Sequence, residues 1–171
     1  MITRTLAVAA VVLAFVAAAG VAQAAKKESN RQVMDRFFAI VDGKDLEKLS
    51  EIDAVDLEMM MPMGPVKGLE GHKMLLKGFA AAFPNFKHST SRCVESGDLI
   101  SCEGAFSGDH NGPMMMPDGS AIPATRKHVE FPYLCIARIK DGKVAQLHVY
   151  FDLMGFMGQL GPLPAPAKAG K

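Results

Sequence analysis

The sequence predicts an α+β domain in which helices pack on one face of a curved sheet. Three observations predict it. Helical periodicity is confined to the first half of the chain, four long strand-like runs fill the second half, and those runs follow one another through turns without intervening helices. Consecutive strands joined in this way pair antiparallel, and the helices preceding them must cover one side of the sheet.

The elements follow in order. Ser29-Asn30-Arg31-Gln32 has the spacing of a capping box. Val33, Phe37 and Val41, with Met34 and Phe38 beside them, recur at helical period until Asp42-Gly43. Asp45 starts a short second helix carrying Leu46 and Leu49, and Val55 to Met61 reads as a strand that breaks at Pro62 and Gly64-Pro65. A third helix spans Leu69 to Phe83, with Leu75, Leu76, Phe79 and Phe83 as its buried stripe, and Pro84-Asn85 ends it. Four strands follow, over Phe86–Glu95, Leu99–His110, Arg126–Lys140 and Lys143–Asp152. They are joined by Gly97-Asp98, by a long loop from Asn111 to Thr125, and by Asp141-Gly142.

The ends differ in composition from this body. Arg4 precedes an apolar run from Leu6 to Val21 and the small-x-small triplet Ala22-Gln23-Ala24, the order of a secretory signal peptide. The expected organisation is a signal peptide over 1–25, a folded domain over 26–161 and a flexible Pro/Ala-rich tail over 162–171. The expected location is secreted or periplasmic, with no stable membrane insertion after cleavage. Export permits disulfides. A two-residue turn at Gly97-Asp98 sets Cys93 opposite Cys102, either as a bridge or as two reduced core cysteines, and leaves Cys135 unpaired.

The 171 residues carry 19 basic and 18 acidic side chains, a balance that gives no electrostatic reason to expect nucleic acid as a partner. Cys-x-x-Cys, His-Glu-x-x-His, a phosphate-cradling glycine loop and Gly-x-Ser-x-Gly are all missing, which removes the common zinc, nucleotide and serine-hydrolase readings.

Gly68-Leu69-Glu70-Gly71 with Ala82-Phe83-Pro84-Asn85, Gly108-Asp109-His110-Asn111-Gly112, and the Asp141-Gly142-Lys143 turn followed by Asp152 and Gln159-Leu160-Gly161 occur in one order. Over Asn30 to Gly161 this combination resembles the SnoaL-like polyketide cyclase (ester cyclase) family of the nuclear-transport-factor-two-like superfamily. The resemblance implies a conical barrel, a strongly curved antiparallel sheet wrapped around the N-terminal helices with a pocket at one end. It implies Asp152 as the acid/base aspartate and His110 near the pocket. It also implies that the strand face bearing Gln146, His148, Tyr150 and Asp152 turns inward, and that a homodimer forms through the other face.

In that role Asp152 removes a proton from a carbon flanked by carbonyl groups and returns one to a forming alkoxide, with His110 orienting the carbonyl oxygen. No cofactor and no metal is required, because such a C–H is already acidic. The alternative for Asp152 is an N-cap of the segment starting at Leu153. His148, Tyr150, Met59, Met61, Met115 and Phe106 are the expected substrate-binding residues, for a small hydrophobic molecule. The clusters Met59-Met60-Met61-Pro62-Met63 and Met114-Met115-Met116 suit pocket lining better than a Cu(I) site, since alternation sends neighbouring side chains to opposite faces. His72, Lys73, His88 and His128 read as surface residues. Beside the catalytic reading stands a non-catalytic periplasmic binding module using the same cavity.

Overall fold

The computed structural model describes residues 28–116 and 119–161. The expected leader and tail lie outside the described residues. Helix α1, Asn30–Gly43, begins in a complete capping box: the Ser29 hydroxyl accepts from the Gln32 N–H while the Gln32 side chain accepts from the Ser29 N–H. It buries Val33, Met34, Phe37, Ile40 and Val41. One turn of helix, α2 (Leu49–Ile52), leads into strand β1, Asp53–Met61. Strand β2, Gly64–Lys67, folds back on β1, so the residues around Pro62 and Gly64-Pro65 make a hairpin where the sequence suggested only a break. Helix α3, Gly68–Ala82, follows.

Strands β3 (Lys87–Ser96), β4 (Leu99–Asp109), β7 (His128–Lys140) and β8 (Lys143–Phe151) start and stop within about two residues of the expected runs. The long loop contains a small hairpin of β5, Met114–Met115, and β6, Ala121–Ile122. Helix α4, Leu153–Leu160, packs on β7 and closes the domain.

The sheet is six-stranded, in the order β2-β1-β8-β7-β4-β3. It is curved and open rather than closed into a barrel, with β2 and β3 at its edges. It is also not wholly antiparallel, because β1 runs parallel to β8 and thereby joins the N-terminal hairpin to the C-terminal strands. Cys93 pairs with Cys102 across β3 and β4, and the two form a disulfide. In the next strand Cys102 faces Cys135, which is buried and reduced. The apolar faces of α1 and α3, α4 and the inner side of the sheet share one core. Among the described residues no helix is long and apolar enough to cross a membrane.

Candidate active site

The inner face of the sheet and helices α1 and α3 enclose a cavity of about 100 Å³. Its wall is mostly aromatic and aliphatic. Phe37, Phe38 and Val41 come from α1, Leu75, Leu76 and Phe79 from α3, and Phe106, Phe131, Leu147, Val149 and Phe151 from the sheet. Met59 and Met61 line it as well, while Met60 between them is exposed, as alternation along β1 requires. The groups in this wall that can carry or release a proton are His72, His88, Tyr133 and Cys135.

Each of the two histidines is held by an aspartate. His72 lies on α3 four residues before Leu76 and three before Leu75, hence on the buried stripe of that helix. Its Nδ1 is 2.6 Å from Oδ2 of Asp53, the first residue of β1, and both side chains are buried. His88 lies two residues beyond buried Phe86, so β3 turns it toward the same interior. Its Nδ1 is 2.6 Å from Oδ1 of Asp42 near the end of α1. The His88 backbone N–H also donates to both Asp42 oxygens, at 3.1 and 3.0 Å. In each pair the carboxylate occupies Nδ1 and leaves Nε2 for a ligand, the arrangement by which an aspartate fixes a catalytic imidazole.

Aromatic rings set the positions of both histidines. Phe37 stacks on His72 at 5.7 Å between centroids, and its neighbour Phe38 lies 5.4 Å from His88. Phe86, Phe106 and Tyr133 complete the surroundings of His88. Burial pushes the Tyr133 phenol up to about 12 and the Cys135 thiol up to about 11, so both keep their protons near neutral pH. The Tyr133 hydroxyl directs its single proton to the Ser89 carbonyl over a long contact of 3.5 Å and also interacts with the Thr90 side chain. A Cβ on Gly104 would run into that same carbonyl and lie 2.9 Å from the hydroxyl, so this strand position has to stay small.

The residues nominated from sequence divide into two groups. Met59, Met61 and Phe106 line the cavity. Asp152, His148 and Tyr150 do not: the latter two are exposed on the outer face of β8, and Asp152 is exposed at its end. The inward residues of β8 are Leu147, Val149 and Phe151, the opposite set from the one expected. A bulge accounts for the local parity. Arg138 pairs with Gln146 but Ile139 with Val144, so Ala145 is an extra residue, and Val144 and Leu147 are both buried although three positions apart.

Asp152 is the N-cap of α4, its Oδ1 accepting the Gly155 N–H at 2.9 Å. Met115 is exposed on the small hairpin. His110 is fully buried behind Phe83, 5.0 Å away between rings, and is not part of the cavity wall. Its Nδ1 accepts the Thr125 N–H, so the proton of the neutral ring sits on Nε2, which has no partner among the described residues. Burial lowers the His110 pKa and favours that neutral form. His72 and His88, read from sequence as surface residues, are the ones the fold brings to the cavity. Only His128 of that group is exposed beside its partner, Asp109.

Comparison with known proteins gives the same fold. The family model described as SnoaL-like polyketide cyclase matches residues 31–160. A protein from Jannaschia sp. CCS1 described as a SnoaL-like polyketide cyclase superposes with a TM-score of 0.69 at 19% identity, over 79% of this chain and 93% of that one. TsrD from Streptomyces laurentii gives a TM-score of 0.67 at 27% identity, over 78% and 95%. IdmH from Streptomyces antibioticus, described as a polyketide cyclase, gives 0.67 at 23% identity, over 79% and 100%. Among curated proteins none matches the sequence.

Proposed function

This chain belongs to the SnoaL-like polyketide cyclase family, and from that premise we propose that it carries out cofactor-independent acid–base chemistry on a small apolar carbonyl compound bound in the cavity. The family suggests reactions of cyclase or isomerase type. The observation that carries the reading is a pair of imidazoles on an otherwise apolar wall, each with Nδ1 fixed by a carboxylate. An Nε2 lone pair in this setting can take a proton from the carbon next to a carbonyl. The Tyr133 hydroxyl beside His88, by turning its proton away from the long contact with the Ser89 carbonyl, can donate to the oxygen on which negative charge develops. The cavity is small beside pockets that hold drug-sized molecules, which run from about 300 to 1,000 Å³, so the substrate is a compact molecule.

Deuterium exchange at the α-carbon of a simple ketone such as acetone, followed by NMR, tests this. The protein should accelerate exchange, His88→Gln should lower the rate by about 10²-fold or more, and Asp152→Asn should leave it unchanged. The reverse pattern would return the base role to Asp152. Ligand binding without any exchange would make the protein a binding module built on the same apolar wall.

We also propose that the protein is exported and forms a homodimer. Export is supported by the order of charge, apolar run and small residues over 1–25, and a disulfide suits an oxidising compartment. The mass of the protein recovered from a secreting host should correspond to cleavage near residue 25. A homodimer is supported by Met60, Leu134, Ile136 and Tyr150, which are exposed in adjoining rows of the outer face. Light scattering should then give twice the chain mass.

A further inference from the structure

We propose that the two His–Asp pairs divide the proton transfers, His88 accepting one from carbon and His72 delivering one to oxygen, so that the cavity dehydrates a small β-hydroxy carbonyl compound. The inference rests on the acid–base reading above and adds to it a reaction, a substrate class and a role for His72.

The surroundings of the two carboxylates differ. Asp42 receives the backbone N–H of His88 at both oxygens in addition to the ring. The Lys44 ammonium is close by, bonded to the Asp42 main-chain carbonyl at 2.8 Å and attracted to the carboxylate. The charge of Asp42 is therefore met without a proton on the imidazole beyond the one at Nδ1, and Nε2 of His88 keeps its lone pair. Asp53 has none of this support. It is fully buried, its Oδ2 meets only His72, and its Oδ1 has no partner among the described residues. A carboxylate in that position is balanced when the His72 ring carries both protons, because an uncompensated buried charge is strongly disfavoured. Nε2–H of His72 is then a proton donor at the cavity wall.

The other candidates are removed by their own chemistry. Tyr133 and Cys135 are held protonated by burial, which leaves the two histidines as the wall groups with a ring nitrogen open to a substrate. Both histidines line the same cavity of about 100 Å³, a size that suits reaction at two neighbouring carbons rather than closure of a long chain. The α C–H bond breaks and its proton goes to Nε2 of His88. The electron pair forms the new C=C bond as the β C–O bond breaks, and the departing oxygen takes the Nε2 proton of His72 and leaves as water. Through solvent, His88 then loses a proton and His72 regains one.

Diacetone alcohol is a suitable probe, since loss of water gives the conjugated enone mesityl oxide, read by ultraviolet absorbance, while α-carbon exchange in deuterium oxide is read on the same molecule by NMR. The wild-type protein should catalyse both. His88→Gln should lose both. His72→Gln should lower dehydration by at least about 10²-fold more than it lowers exchange. Asp53→Asn should show the same split while acting only through His72, and it keeps the inference falsifiable should His72→Gln fail to give a folded protein by thermal unfolding. Dehydration undiminished in folded His72→Gln or Asp53→Asn, or a wild-type protein that exchanges protons without ever releasing mesityl oxide, would overturn the inference and leave the acid–base reading standing. Absence of exchange in the wild type would overturn both.

Discussion

The two faces of strand β8 differ in what lies against them. Leu147, Val149 and Phe151 point into the cavity, where Phe151 meets Phe131 of β7, whereas His148 and Tyr150 stand on the outer face in solvent. One strand thus carries a wall of the site and an exposed surface on alternate residues. The difference teaches that polarity alone does not locate chemistry: the polar side chains of β8 are outside, the polar groups that reach the cavity are supplied by α3, β3 and β7, and the carboxylates that hold the two histidines come from α1 and β1.

Substitutions on the two faces can break that contrast or sharpen it. The largest effect is expected for Leu147→Ala, which removes a buried side chain from the inner face and should cost about 2–5 kcal/mol by denaturant unfolding. Tyr150→Ala, on the outer face, should stay within about 0.5 kcal/mol in the monomer. Equal losses would mean that both faces are buried in solution. Gly104→Ala should come next, at about 1–3 kcal/mol, because the new methyl collides with the Ser89 carbonyl beside Tyr133. Its thermal midpoint should drop accordingly, and an unchanged midpoint would show that the β3–β4 pair can part without cost. Asp152→Ala should lose the α4 cap and about 1 kcal/mol, while Asp152→Asn, which can still cap, should lose only a few tenths.

The inner face also leaves a slope in pH. The Cys135 thiol is raised from 9.0 to about 11 in the fold, so the unfolded chain releases this proton first and stability falls as pH rises from about 9 towards 11. Cys135→Ala should flatten that part of the curve. The native thiol should also resist iodoacetamide near neutral pH and react once the chain is unfolded.

Much of the fold was legible because its signals are local. The Ser29–Gln32 capping box, the Gly97-Asp98 turn and the register that sets Cys93 opposite Cys102 are each complete within a few residues. What escaped was non-local. The parallel pairing of β1 with β8 joins segments far apart in sequence, and no short pattern announces it. The site was less legible than the fold. Leu147, Val149 and Phe151 are the apolar members of β8, and their alternation alone would have turned them inward; the family expectation for Asp152 favoured the other face. His72 also had a signal, since it continues the stripe of Leu75, Leu76 and Phe79 by one turn toward the N-terminus of α3. Its aspartate did not, because only the tertiary fold brings the start of β1 beside α3.

Helix α1 has a consequence for how the site can vary. Its consecutive residues Phe37 and Phe38 touch different histidines, one on α3 and one on β3, and Asp42 one turn later holds the second of these. A small rotation of this single helix about its axis would therefore shift both imidazoles together, like two followers on one camshaft. Substitutions along α1 should act on both proton positions at once and combine non-additively with changes at either histidine, so the two cannot be tuned independently without first altering the helix that links them.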